Sequence, residues 1–253
     1  MKKYNTTQLN PKQNFQKHVY HRDQFAHYLR WTHVLKKLKI GMNILDWGCG
    51  SGELCEVAYR NRYKPKSYIG IDIRKKVIQN ANMEFSNVPW AEFIEKDLCD
   101  SNFIKINKEF DIISSFEVIE HIGKENVDIF LNNMTMHANK NTIIMISTPV
   151  YDEKVGAAKN HIINGNICEF EYDELEEILK KYFKIINVYG TFASQKDYKP
   201  IMNEWQMNFY NSVKEYFDSN ILSNLMAPMF PKYSRNCMWI LQTKDLQDQY
   251  GLF

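Results

Sequence analysis

The sequence predicts an α/β protein, a mostly parallel sheet with helices on both faces. Three observations carry this. Short β-favouring runs alternate with helical patterns along most of the chain, the arrangement that joins parallel strands through helices. A glycine-rich loop stands where the first strand gives way to a helix. The 253 residues, 44% hydrophobic and 25% charged, supply the core of one large domain or of a domain with an appendage. That composition excludes a disordered chain and a collagen-like repeat, and no run approaches the ~20 apolar residues of a membrane span.

Residues 1–17 are polar, include Pro11, and read as a loose arm. Residues 23–39 read as a helix. Phe25, Tyr28, Leu29, Thr32, Leu35 and Leu38 recur at three- and four-residue steps, and Gly41 ends it. Strands are expected at 43–47, 67–72, 90–95, 110–115, 141–147, 184–189 and 236–242. The spacing between them predicts helices over 53–60, 74–81, 124–136 and 173–182.

Two connections exceed a minimal alternation, 148–171 and 191–235. The second holds Trp205, Phe209, Tyr210, Tyr216, Phe217, Met226, Met229 and Phe230, and one or two helices are expected there. Trp205, Phe209 and Val213 keep helical spacing, which fits core packing first and a lid or an interface second. The chain thus divides into a basic arm and cover helix (1–40), a core (41–190), an aromatic-rich insertion (191–235), and a last strand and tail that rejoin the core sheet (236–253).

The net charge of +2 is unevenly spread. Residues 1–40 carry nine Lys/Arg and one acid, Asp23, a balance of +8, while the remainder carries 23 basic and 29 acidic residues, a balance of −6. Four of the seven histidines, His18, His21, His27 and His33, fall in the same forty. Such an arm suits an anionic partner, nucleotide or nucleic acid, or is a solvated helix surface. No apolar stretch follows the two early lysines, so no secretory signal is expected. Cys49, Cys55, Cys99, Cys168 and Cys237 are odd in number and form no C-x-x-C pair, which points to reduced thiols and a cytoplasmic setting. His18 and His21 have the i, i+3 spacing of helical metal ligands but lack a third nearby, so no metal is expected.

The most informative stretch is 43–52, where a strand runs into Gly48, Gly50 and Gly52 and a helix opens at Glu53. Glycine there permits a tight turn and close approach of backbone to a ligand. Asp72 ends the next strand, where an acid accepts hydrogen bonds from ribose hydroxyls. The spacing is not that of G-x-G-x-x-G. Counted from Gly48 the third glycine falls on Glu53, and from Gly50 on Cys55. No Walker lysine follows.

The block Asp46-x-Gly48-x-Gly50-x-Gly52 instead resembles the first motif of class I S-adenosylmethionine-dependent methyltransferases. Tyr68 to Asp72 resembles their second motif, Phe93 to Leu98 their third, and Phe110 to Ile122 their fourth strand and its loop. The resemblance spans about 40–190 and implies a Rossmann-like, seven-stranded sheet with its last strand antiparallel. It implies S-adenosylmethionine as cofactor, leaving S-adenosylhomocysteine as product. The implied cofactor residues are Asp46, Gly48, Gly50, Gly52, Asp72, Ile73, Asp97, Leu98, Phe116 and Glu117. In this reading Asp46 fixes the loop or the methionyl amine, Asp72 takes the ribose and Asp97 the adenine. An acid at a strand end is otherwise a helix cap, most of all Asp97.

A sulfonium methyl is already electrophilic, so alignment matters most, and a base is needed only where the acceptor must lose a proton. DNA amino-methyltransferases resemble one another in a [DNS]-P-P-[YFW] stretch, but residues 114–117 hold no proline, and no cysteine follows a proline as in cytosine C5 enzymes. Glu117 to Ile122, then Ser147 to Pro149, His161, and Glu169 with Phe170 are similar instead to small-molecule enzymes, among them the quinone-biosynthesis O-methyltransferases. That likeness implies His161, in a polar loop over the acceptor, as a catalytic or orienting residue; the alternative is a surface histidine. His121 contacts cofactor or acceptor, or is structural. Glu169 holds the loop to the next helix. Tyr151 and Lys154 are loop candidates for substrate contact. The stretch 25–33 is similar to blocks in phage-encoded methyltransferases, which implies Arg30 and Trp31 near substrate or adenine and a viral setting in a host cytoplasm; Trp31 is otherwise helix packing.

The expected reaction is methyl transfer to oxygen or nitrogen of a small or nucleotide-like acceptor. The rivals are a nucleic-acid or modified-base methyltransferase engaged through the basic arm, a non-catalytic S-adenosylmethionine-binding subunit, and a nucleotide-dependent oxidoreductase, which the glycine spacing disfavours.

Overall fold

The computed structural model describes residues 22–62 and 64–244. The first helix, α1 (Arg22–Lys37), precedes the sheet. Then follow β1 (Asn43–Trp47), α2 (Glu53–Arg60), β2 (Ser67–Asp72), α3 (Lys75–Glu84), β3 (Ala91–Glu95), β4 (Ile112–Phe116), α4 (Val127–Thr135) and β5 (Ile143–Pro149). A two-stranded hairpin, β6 (Ile162–Ile163) and β7 (Asn166–Ile167), leads to α5 (Tyr172–Tyr182) and β8 (Phe183–Ala193). The insertion folds as α6 (Gln195–Tyr198), α7 (Glu204–Val213) and α8 (Ser219–Met226) before β9 (Ser234–Thr243).

The seven large strands lie in the order β3-β2-β1-β4-β5-β9-β8. Pairs through β5 are parallel, and β9 runs antiparallel between β5 and β8, as expected of the last strand. Adjacent residues of one strand serve opposite faces, so strands buried on both sides read as continuous apolar runs. Leu45, Ile69, Ile113, Ile144 and Trp239 join the core under α4 and α5. Ile44, Tyr68, Ile112, Met145 and Met238 join the core that includes Trp31 and Val34 of α1.

The insertion has a cluster of its own, in which Ala193, Tyr198, Tyr210, Leu222, Met226 and Phe230 pack together. Phe209 and Val213 join its edge, while Trp205 stays 65% exposed and stacks on Phe209. Core packing therefore accounts for much of that aromatic content. No helix among the described residues is long and apolar enough to cross a membrane. All five cysteines are free thiols.

Candidate functional site

β1 delivers the chain into a loop whose three glycines all have positive φ, +91° at Gly48, +57° at Gly50 and +89° at Gly52. An L side chain is strained there. A Cβ at Gly48 would lie 2.3 Å from Val118, and one at Gly52 2.7 Å from Phe85. Those two glycines let the protein pack against its own loop. Gly48 and Gly50 line a cavity of about 810 Å³ at the carboxyl ends of β1, β2 and β4; Gly52 does not.

Three acids border this end. Asp46 is buried, accepting from the Tyr68 hydroxyl at 2.6 Å and from Ser114 Oγ at 2.9 Å. The two bonds brace β1 against both neighbours under the loop. Burial pushes the Asp46 carboxyl up to about 6, against the pull of those bonds. Asp72 accepts the Gly50 N–H at 3.1 Å, the Arg74 N–H at 2.9 Å, and a bidentate pair from the Arg74 guanidinium, both contacts 2.9 Å. Asp97 is exposed and accepts the Cys99 N–H at 2.8 Å, an Asx-type turn that sets Leu98 and Cys99 along the cavity.

The other side is built from residues far apart in sequence. Glu117, after β4, has φ +59°, rare for a residue with a side chain. Its carboxylate accepts from Ser147 Oγ at 2.8 Å and Asn236 Nδ2 at 2.8 Å, and Arg30 Nη1 lies 3.5 Å away. Arg30 crosses from α1, 2% exposed, and also donates to Asn236 Oδ1 at 3.2 Å. Its charge, with the hydrogen bonds from Asn236 and Ser147, holds the Glu117 carboxyl below its ordinary value despite burial. The second Arg30 nitrogen, Nη2, lies 2.8 Å from His27 Nδ1. His27 stacks on Trp31 at 5.6 Å, and both rings line the cavity. Burial first, then Arg30, lowers the His27 pKa to about 3, with Glu117 opposing.

Beyond Glu117 the ligand atoms of Glu120, His121 and His161 converge within 4.8 Å of one another. Glu120 is 1% exposed; Oε2 accepts from Thr148 Oγ1 at 2.9 Å, and Oε1 has no hydrogen-bond partner. His121 packs edge-on to His161 at 4.7 Å and lines the cavity beside Asn160. His161 is 4% exposed, and its Nδ1 lies 2.5 Å from Glu169 Oε1, which also accepts the Ala158 N–H. The β6–β7 hairpin closes over Asn164 and Gly165, at φ +51° and +82°, and the Cys168 N–H returns to the His161 carbonyl. These contacts fix His161 beneath the hairpin.

The structure brings Asp46, Gly48, Gly50, Asp72, Ile73, Asp97, Leu98, Phe116, Glu117 and His121 to one cavity, with Trp31 on its far wall. Others depart from expectation. Arg30 does not itself line the cavity; its two terminal nitrogens face Glu117, Asn236 and His27, of which Glu117 and His27 do. His161 is neither a surface residue nor on the cavity wall, because Glu169 draws it inward. The contacts of Glu169, to Ala158 N–H and His161, are within the loop. Tyr151 and Lys154 do not line the cavity; Lys154 is exposed, and the Tyr151 N–H bonds to Phe170. His18 and His21 lie outside the described residues. Sequence reasoning passed over His27, Arg74 and Asn236. For His27 a signal existed, one helical turn before Trp31 on the same face.

The family described as Methyltransferase domain matches residues 20–186. The ubiquinone biosynthesis O-methyltransferase of Pelagibacter ubique is 32% identical over 113 residues, 45% of this chain and 44% of that protein. The cyclopropane-fatty-acyl-phospholipid synthase of Escherichia coli K12 is 23% identical over 214 residues, 83% of this chain and 53% of that protein. The chain thus spans about half the length of these curated relatives. An S-adenosylmethionine-dependent methyltransferase from Clostridium acetobutylicum shares the fold at TM-score 0.56 and 11% identity, over 92% of this chain and 96% of that one.

Proposed function

The chain belongs to the methyltransferase domain family, as a class I member that draws on S-adenosylmethionine, and from that premise we propose that it methylates a hydroxyl oxygen of a small or nucleotide-like acceptor. The cavity residues fit the cofactor. Its sulfonium and ammonium groups are cationic, and Asp46, Glu53, Asp72, Asp97 and Glu117 line the cavity, with one guanidinium, Arg74, already paired to Asp72. The volume of about 810 Å³ falls within the range of small-molecule sites. When bound, the cofactor supplies the electrophilic methyl. The chain's own part is alignment. Asp72 takes the ribose hydroxyls once Arg74 turns aside, Asp97 and Leu98 border the adenine, and the glycine loop backs the methionyl chain against Phe116.

The observation that carries the hydroxyl reading is the convergence of Glu120, His121 and His161, a cluster of which His121 lines the cavity. A hydroxyl needs help in losing its proton. Glu120 Oε1, buried without a donor, supports a divalent cation there, since an orphaned buried oxygen is otherwise costly. A bound cation would lower the pKa of the hydroxyl. Glu169 accepts a hydrogen bond from His161 Nδ1–H, which leaves Nε2 as the ligand atom.

Titration with Mn²⁺, followed by electron paramagnetic resonance, tests this. Binding by the unaltered protein, lost in His121→Ala and His161→Ala while S-adenosylhomocysteine still binds, is the expected result. Equal Mn²⁺ binding by all three proteins would sink the cation reading. Nucleic acid as acceptor is supported by the +8 balance of residues 1–40. It predicts retention on RNA or DNA that falls steeply with salt.

A further inference from the structure

We propose that Asn133 and His137 are positioning residues for the cofactor. From behind the cavity wall they set the chain after β3 so that Asp97 and Leu98 meet the adenine ring, a role that rests on the reading of the cavity as an S-adenosylmethionine site. Neither residue itself lines the cavity.

The chain between β3 and β4, residues 96–111, holds no helix or strand. Its first residues include Asp97, Leu98 and Cys99, which are cavity wall. Irregular backbone of this kind keeps its place through the bonds made to its carbonyls and N–H groups. Three of these come from α4 and its end. Asn133 is buried in a helix interior that disfavours asparagine, where an unpaired amide is costly. Its Nδ2 spends both hydrogens on the loop, donating to the Leu98 and Asp100 carbonyls, each at 2.9 Å. The Leu98 carbonyl belongs to the peptide that joins Leu98 to Cys99, so this bond orients the plane that carries both wall residues.

His137 stands just past the end of α4 and is buried too. Its main-chain N–H turns to the Met134 carbonyl, away from that of Asn133. His137 Nδ1 lies 2.8 Å from the Asn133 carbonyl, which can only accept, so the ring proton sits on Nδ1 and Nε2 is left as an acceptor. The Ile106 N–H donates to Nε2 at 3.0 Å. Trp47 at 5.3 Å and Phe103 at 5.7 Å close round the ring, and burial lowers its pKa, which favours the neutral form that has an acceptor to offer. The end of α4 therefore grips the loop at Leu98 and Asp100 beside the cavity and at Ile106 beyond it. Apolar side chains of like size would fill the same space. What Asn133 and His137 add is register, two donor hydrogens and one acceptor matched to three backbone groups of the loop.

The test is calorimetric titration of the full chain with S-adenosylhomocysteine and with S-inosylhomocysteine, in which a carbonyl oxygen replaces the adenine amino group. A carboxylate accepts from the amino group and repels the carbonyl, so the ratio of the two affinities reports where Asp97 stands. The unaltered protein is compared with Asn133→Leu, which loses both donor hydrogens at similar size, His137→Phe, which keeps a ring but loses the acceptor, and His137→Gln, which restores an acceptor. The unaltered protein is expected to favour S-adenosylhomocysteine about tenfold or more. Asn133→Leu should cut that preference to about threefold or less at unchanged stoichiometry. His137→Phe should lower it by a smaller factor, and His137→Gln should return it. A purely structural role would lower stability and the fraction of protein that binds while leaving the ratio as it was. An unchanged ratio in Asn133→Leu and His137→Phe would therefore overturn the proposal, as would equal affinity of the unaltered protein for the two ligands. Should Asn133→Leu fail to fold, His137→Phe is judged by the same ratio. Failure of the unaltered protein to bind S-adenosylhomocysteine would overturn the cofactor reading itself, so the two failures are distinct.

Discussion

The two halves of the cavity are built by different means. The cofactor half comes from consecutive strand ends, so Asp46, Gly48, Gly50, Asp72 and Asp97 follow one another along the chain. The other half is assembled from α1, the turn after β4, β5, the hairpin loop and β9, and Glu117 alone is held from three of these. A half made of contiguous segments shows in sequence as motifs. A half made by long-range contact shows only as scattered polar residues whose partners are unknown until the fold brings them together.

The largest effects sharpen this contrast within the cofactor half. Gly48→Ala should destabilise the protein by about 3 kcal/mol, combining left-handed strain with a methyl driven into Val118. Chemical unfolding checks it, and Gly48→Ala with Val118→Ala should recover the packing part. An unchanged midpoint would mean that this glycine serves only the ligand.

Asp46 and His27 give opposite pH dependences. The folded-state pKa of Asp46 is raised to about 6, so the folded protein holds a proton that the unfolded chain has lost, and stability falls as pH rises through about 4 to 6. The pKa of His27 is lowered to about 3, so the unfolded chain binds a proton first, and stability falls as pH drops below about 6.5. Each contributes about 3 kcal/mol across that shared window, and they largely cancel. Asp46 faces Tyr68, Ser114, Glu53 and Asp72, and His27 faces Arg30 and Glu117. Between pH 4 and 6, thermal unfolding should therefore show the stability of Asp46→Asn rising more steeply with pH than that of the unaltered protein, and the stability of His27→Gln shifting in the opposite direction. The same slope in both variants would contradict the assignment.

Asp72→Ala should weaken S-adenosylhomocysteine on the order of 100-fold, as two charge-assisted hydrogen bonds are lost. Arg74→Gln should have the smallest effect, a gain of about threefold, because the Asp72 oxygens no longer need freeing from the guanidinium. A loss of affinity in Arg74→Gln would show instead that the arginine itself touches the ligand.

Much of the sheet was legible. The first strand, the helix behind the glycine loop and the second strand match the expected bounds end to end, because glycines and the basic turn after Asp72 punctuate them. The strand expected at 184–189 runs on to Ala193, since its outer half pairs with β9, a partner invisible to local pattern. The hairpin was missed although Asn164-Gly165 is its signature, because its strands are only two residues long. His121 and His161 lie forty residues apart in sequence, so their meeting with Glu120 is a product of the fold. The burial of His161 is equally illegible, since polar neighbours suggest exposure until Glu169 is placed against it.

The most direct test of the account is calorimetric titration of the full chain with S-adenosylhomocysteine, with NAD as the control. The account predicts binding on the order of micromolar for the first and none for the second. Binding of NAD, or no binding of S-adenosylhomocysteine, would contradict it.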